Sequence, residues 1–170
     1  LQQGGVAAFV SMAKAPATKT QSKGKPDVWL AAGVRTPFTK AGGALAKRDA
    51  LELSIPGVKA RLAKGGRPDL MSWGAVIPNL TISNLAREAL ISAGGDPTIP
   101  ASSTVMACST SMVAAFQAAG MLDDETRSLA LVGGAEAMSR IQIGLSQPLS
   151  DDLRRFMEAR NLSEGWTALT

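Results

Sequence analysis

Short apolar runs alternate with helix-length segments along this chain, and glycine or proline closes almost every one. Val28–Gly33, Trp73–Ile77, Val105–Ala107 and Ser128–Val132 read as strands. Asp49–Lys64, Asn84–Ala93 and Met112–Leu122 separate them with helical spacing. Strands that are apolar throughout are covered on both faces, and strands spaced by helices form parallel βαβ units. The pattern therefore predicts a layered α/β fold.

Local signals refine the elements. Pro56 and Gly57 predict a kink in the first helix, or two short helices in its place. Ser83 is the expected N-cap of the second helix, and the Gly94-Gly95 pair its C-terminal stop. Asp123–Arg127 reads as a polar turn. Gly133 and Gly134 suit either positive φ or close backbone approach, and they read as structural. From Ile141 onward the pattern weakens into a polar, proline-containing loop and a charged segment over Asp151–Arg160.

Composition bounds the rest. A chain of 170 residues with 45% hydrophobic content can bury one sizeable core. The net charge of +4 is modest, and no arginine–aromatic interleaving marks a nucleic-acid surface. Lys14, Lys19, Lys23 and Lys25 precede the first acid, Asp27, so residues 1–26 read as a flexible basic arm. That arm also suits a targeting remnant, although it lacks arginine and its apolar run, Val6–Val10, is short for a secretory core. No run reaches the length of a membrane span. A single cysteine excludes an internal disulfide and fits a reducing compartment. The chain holds no histidine, which excludes the common zinc sites and any Ser-His or Cys-His dyad of its own.

The stretch Thr104–Leu122 (TVMACSTSMVAAFQAAGML) holds that cysteine, Cys108. It reads as a buried strand, a tight turn, and a helix beginning at or just after the thiol. Ser109, Thr110 and Ser111 suit a helix start, where hydroxyls accept unpaired N–H groups. The following segment is apolar almost all round, which predicts a buried helix. A thiol at a helix N-terminus meets the positive end of the dipole, which favours the nucleophilic thiolate. The plainer reading is a cysteine buried as an inert core residue.

Four segments together resemble the N-terminal portion of the thiolase family of acyl-CoA acyltransferases. They are Arg35-Thr36-Pro37-Phe38 after the first strand, Asn84-Leu85-Ala86-Arg87, the nucleophile-like segment Val105–Ser111, and Gly133–Arg140 (GGAEAMSR). The resemblance covers roughly Asp27–Arg140. It implies a thiolase-like layered αβα half of a five-layer αβαβα architecture, with a 27–140 α/β domain and a loop domain barely begun over 141–170. It also implies that the chain stops in mid-architecture. Cys108 takes the nucleophile's place, forming an acyl-enzyme from a coenzyme A thioester. No cofactor is bound permanently, and acyl-CoA or acetyl-CoA is substrate. The family's activating histidine and second cysteine lie in its C-terminal half, beyond these residues.

Three alternatives stand beside this reading. The segment ACSTSMVAA would suit the ketoacyl synthases, which share the duplicated fold, although the RTPF and AMSR segments favour thiolase. The flavour of VMACSTS resembles the fatty-acid-oxidation type. A non-catalytic thiolase-like protein acting in assembly or regulation would explain the missing histidine, and an unrelated α/β binding domain would bury its cysteine. The resemblance further implies a homo-oligomer, dimer or tetramer, in the cytoplasm or alternatively the mitochondrial matrix.

Overall fold

A computed structural model of the chain describes residues 7–14, 27–123, 126–161, 163 and 166. Five strands and four helices are described: β1 Ala7–Lys14, β2 Val28–Arg35, α1 Ala50–Ala63, β3 Leu70–Gly74, α2 Leu85–Ser92, β4 Ala101–Thr104, α3 Thr110–Met121, β5 Leu129–Ala135 and α4 Gln147–Glu158. The strands form one sheet in the order β2-β1-β5-β3-β4. β3 pairs in parallel with both β4 and β5. β1 runs antiparallel to both of its neighbours, so β2 points the same way as β5. The expected α/β layering is present, with one antiparallel strand inserted.

Helices cover both faces of the sheet. α1 and α2 bury Leu53, Val58, Ala86, Ala89 and Leu90 against Met71, Trp73, Leu131 and Ala135. On the other face, Ala114, Ala118 and Leu122 of the α3 segment pack on Leu70, Ala130 and Val132. Alternate residues of β3 and β5 therefore serve different layers, as the two-residue strand period requires. Burying a large side chain such as Trp73 or Leu90, both 0% exposed, contributes about 1.5–3 kcal/mol. Trp73 also donates from Nε1 to the Ser54 hydroxyl at 2.9 Å, and Ser54 donates to the Ala50 carbonyl at 2.6 Å. That chain of bonds pins the first turns of α1 to β3.

The structure corrects several sequence expectations. α1 is one unbroken helix through Pro56. Asp49 and Glu52 form a reciprocal capping box at its start, at 2.8 and 3.0 Å, and buried Ser54, Gly57 and Val58 hold its middle to the core. These contacts offset the one ladder bond that proline removes. α2 begins one residue later than expected. Asn84 is the cap, accepting from Arg87 N–H at 3.0 Å, rather than Ser83. Its end is as expected: Gly94 has φ +81°, with Gly94 N–H on the Ile91 carbonyl and Gly95 N–H on Leu90. The strand expected at Trp73–Ile77 lies three residues earlier, buried throughout. β2 extends to Arg35 and is an open edge, so Trp29 and Leu30 are exposed rather than buried.

The arm expected to be flexible over 1–26 contains β1, a strand bonded on both flanks. The rest of that arm lies outside the described residues. In the last stretch α4 forms, with no buried residue along its length. No described helix is long and apolar enough to cross a membrane.

Candidate active site

The sheet register sets the site. Arg35, Ala8, Gly134, Gly74 and Thr104 lie in one row across the five strands. Four of these residues are at or next to the C-terminal ends of β2, β5, β3 and β4. The loops leaving those ends are therefore neighbours, at the edge of a parallel α/β sheet where ligands characteristically bind. They carry Thr36-Pro37-Phe38, Ala75–Asn84, Val105–Ser109 with Cys108, and Glu136–Arg140.

The cysteine turn is built by Thr110. Its buried hydroxyl accepts from Met106 N–H at 2.8 Å and donates to the Ala107 carbonyl at 2.7 Å. Ala107 sits at φ +44°, among the described residues the one non-glycine with positive φ. That left-handed residue reverses the chain immediately before the thiol, a conformation that needs surrounding support. Ser109 N–H bonds the Met106 carbonyl at 3.0 Å, and Thr110 N–H the Ala107 carbonyl at 3.2 Å. The first turn of α3 leaves the next N–H groups, of Ser111 and Met112, without intrahelical acceptors. Cys108 itself is exposed, which overturns the reading of a buried core thiol.

The apolar residues around the thiol also depart from expectation. The strand before it is the polar Ala101–Thr104, while Val105 and Met106 are in the turn and exposed. Ser109 is the N-cap but makes no side-chain cap bond, and the hydroxyl that braces the turn is that of Thr110. α3 buries Thr110, Ala114 and Ala118 and exposes Met112 and Phe116, so one face only is covered. Beside it, Ser102–Met106 and Val113, Phe116, Gln117, Gly120 and Met121 line an open groove of about 710 Å³.

Two glycines let α3 start against the sheet. A Cβ at Gly74 would lie 2.0 Å from Thr110 Cγ2 and 2.5 Å from the Thr104 carbonyl oxygen. One at Gly134 would lie 2.5 Å from Ser111 Oγ and 2.8 Å from the Gly74 oxygen. Gly134 is therefore required by close approach, not by positive φ.

The remaining motif residues tie the loops together. Glu136 accepts from Val76 N–H at 2.6 Å and Ile77 N–H at 3.2 Å. Ser139 accepts from Gly42 N–H at 2.9 Å, and Arg140 donates to the Lys47 carbonyl at 3.0 Å, fastening the loop after β2. Within that loop the Arg35 guanidinium lies 5.5 Å from the centre of the Phe38 ring. Asn84 donates to the Ala101 carbonyl at 3.0 Å and accepts from Ser103 Oγ at 3.0 Å, joining the α2 start to β4. Near Arg140, the N–H of Asp49 and the Arg48 guanidinium hold the Glu52 carboxyl below its ordinary pKa. Sequence reasoning missed Thr110 as the brace, Ala107 as the strained residue and Gly74 as the seat of α3. The hydroxyl three residues after Ala107 was the available signal.

Chemically the arrangement offers an exposed thiol at a helix start, with N–H donors close by in sequence and no histidine anywhere in the chain. Among the described residues no cluster of potential metal ligands forms.

Comparison with known proteins follows the same lines. Residues 28–162 match the family described as thiolase, N-terminal domain. A probable 3-ketoacyl-CoA thiolase of Caenorhabditis elegans is 34% identical over 131 residues, covering 75% of this chain and 29% of the relative. The mitochondrial trifunctional enzyme subunit beta of Rattus norvegicus is 30% identical over 166 residues, covering 92% of this chain and 35% of the relative. The chain thus spans about a third of the length of these curated relatives. In fold it is similar to the acetyl-CoA acetyltransferase of Bacillus anthracis, with a TM-score of 0.60 at 23% identity, over 86% of this chain and 32% of that one. With the loops of the parallel strand ends gathered beside an exposed cysteine and the family match running from β2 past α4, the chain belongs to the thiolase family.

Proposed function

We propose that this chain is the N-terminal part of a thiolase in which Cys108 is the acyl-accepting nucleophile. The observation that carries the reading is the exposed thiol on the braced turn between β4 and α3, inside the stretch that matches the family. In the proposed reaction the Cys108 thiolate attacks the carbonyl carbon of an acyl-CoA thioester. The carbon–sulfur bond to coenzyme A breaks, the coenzyme leaves as thiolate, and the acyl group remains on Cys108 as a thioester. The acyl group then passes to the enolate of acetyl-CoA to form a 3-ketoacyl-CoA. In the degradative direction the thiolate instead attacks the 3-keto carbon. The C2–C3 bond breaks to release acetyl-CoA as its enolate, which takes up a proton, and the acyl group then passes from Cys108 to coenzyme A. N–H groups at the start of α3 are suited to stabilise the oxyanion that forms on attack.

Activation of the thiol and the second proton transfer fall to the histidine and second cysteine of the family's C-terminal half. The reaction is therefore complete only when that half is present, packed on this one as a five-layer αβαβα fold, with the loop domain starting near residue 141. Coenzyme A thioesters are substrates and no permanent cofactor is required. The names of the relatives, 3-ketoacyl-CoA thiolase and trifunctional enzyme subunit beta, support a place in fatty acid metabolism. The proposal extends to a homo-oligomer, dimer or tetramer, in the cytoplasm or the mitochondrial matrix.

The test is coenzyme A-dependent cleavage of a 3-ketoacyl-CoA by the product of the complete reading frame, compared with its Cys108→Ala variant. Turnover that vanishes in the variant supports the reading. Turnover that survives it refutes Cys108 as the nucleophile, and a complete product with no turnover favours the non-catalytic thiolase-like alternative.

A further inference from the structure

The chain holds no histidine, so a half-buried carboxylate at the Cys108 end of the sheet invites reading as a proton-transfer group. That carboxylate is Glu136, the first residue after β5. Its bonds point to a different role. One carboxylate oxygen accepts from both Val76 N–H at 2.6 Å and Ile77 N–H at 3.2 Å, and the other accepts from Ala137 N–H at 3.2 Å. Both oxygens are thus turned to backbone. The hollow beside them, lined in part by Asp49, Asn79, Arg140 and Gln142, has a volume of about 30 Å³. That is room for one or two waters and far too little for an acyl-CoA.

The Val76 and Ile77 amides lie at the start of the β3–α2 loop, residues 75–84. Gln142 holds the same loop at its middle, accepting from Leu80 N–H at 2.6 Å and donating to the Asn79 side-chain oxygen at 3.2 Å. Asn84 holds its far end, through the Ala101 carbonyl and the Ser103 hydroxyl. β3 lies between β5 and β4 in the sheet. The loop therefore crosses from the strand end that carries Glu136 to the strand that leads into the Cys108 turn.

We propose that Glu136 is a positioning residue: by taking the N–H groups of Val76 and Ile77 it fixes the β3–α2 loop as a wall of the substrate entrance beside Cys108. A half-buried N–H without an acceptor is costly, so the start of the loop has one favoured position while the carboxylate is present and several once it is gone. The Cys108 turn has its own brace in Thr110, so loss of Glu136 loosens the wall and spares the thiol. The consequence for substrate rests on the acyl-transfer reading above: binding weakens while the chemical step keeps its rate.

The test makes Glu136→Ala and Glu136→Gln in the product of the complete reading frame. Alanine removes both acceptors, whereas glutamine keeps one carbonyl oxygen for Val76 and Ile77. Hydrogen exchange at those two amides is expected to speed up at least about 10-fold in the alanine variant and to stay near the parent's in the glutamine one. KM for a 3-ketoacyl-CoA is expected to rise about 10-fold in the alanine variant, with kcat within about twofold of the parent's, and to recover with glutamine. Unchanged exchange at both amides in the alanine variant overturns the proposal, and this measurement stands even where the complete product has no turnover. Faster exchange with an unchanged KM overturns the positioning role. So does a fall in kcat that glutamine shares with alanine, since that marks a carboxylate used in proton transfer. Where the alanine variant fails to fold, Glu136→Asp, which draws both oxygens back by one methylene, takes its place with the same expectations.

Discussion

Replacing Thr110 with valine keeps the shape of the side chain and removes only its hydroxyl. Two hydrogen bonds go with it, from Met106 N–H at 2.8 Å and to the Ala107 carbonyl at 2.7 Å. Each such bond contributes about 0.5–1.5 kcal/mol net, and a buried donor left without a partner costs about 1–3 kcal/mol. Thr110 is 3% exposed, so water does not readily replace the hydroxyl. The expected loss for Thr110→Val is about 2–3 kcal/mol. In a domain of this size that lowers the melting temperature by about 4–12 °C. Thr110→Ser is the informative control. It keeps both bonds and loses only the methyl over Gly74, for about 1 kcal/mol. Thermal unfolding ranks the two, and the rate of Cys108 alkylation by iodoacetamide reads the turn directly. The valine variant alone is expected to change that rate, because Ala107 loses the bond that holds it at positive φ. A valine variant as stable as the parent, or a serine variant worse than the valine one, would refute the bracing role.

Other consequences follow from the same contacts. Gly74→Ala forces a methyl to 2.5 Å from the backbone oxygen of Thr104 and is expected to cost about 3 kcal/mol by denaturant unfolding. Adding Thr110→Ser removes the α3 methyl and should recover only part, since the Thr104 backbone contact remains; no recovery at all would show that α3 does not seat on this glycine. Ser72 faces α3 at 1% exposure, and its hydroxyl has no partner among the described residues. Ser72→Ala is therefore expected to be neutral or stabilising by up to about 1 kcal/mol, and a clear destabilisation would reveal an unseen bond. The Thr98 hydroxyl and N–H, with the Arg67 guanidinium, hold the Asp96 carboxyl at about 2, against an ordinary 3.8. Its contribution to stability is complete above pH about 4 and is lost as the pH falls through the folded-state value. Asp96→Asn should flatten stability measured over that window, and an unchanged slope would contradict the assignment.

Much of the layered fold was legible because buried strands and their helices differ in period. Leu129–Ala135 is apolar throughout and proved to be a strand covered on both faces. The Gly94-Gly95 stop was readable because a left-handed helix end strongly favours glycine. β1 was hidden by its surroundings: a short apolar run amid Gly, Ser, Thr and Lys has no helix beside it to imply a βαβ unit. It joins the sheet through backbone pairs with partners far along the chain. β4 misled for a related reason. As an edge strand it needs no apolar signal, so Ala101–Thr104 looked like a linker and the exposed Val105 and Met106 looked like the strand. In the site, Cys108 was legible from its place before a helix. The brace at Thr110 was not, because a hydroxyl at a helix start reads as a cap. Its use on the preceding turn depends on Ala107 adopting positive φ, which alanine does not announce.

The most direct test of the central claim is to trap the acyl-enzyme. The product of the complete reading frame is incubated with acetyl-CoA, quenched in acid, digested, and mapped by mass spectrometry. The account predicts one acetyl group on the peptide containing Cys108, released by hydroxylamine as a thioester should be, and absent from the Cys108→Ala variant. An enzyme that turns over acetyl-CoA while its acetyl group sits on another residue, or on none, would contradict it.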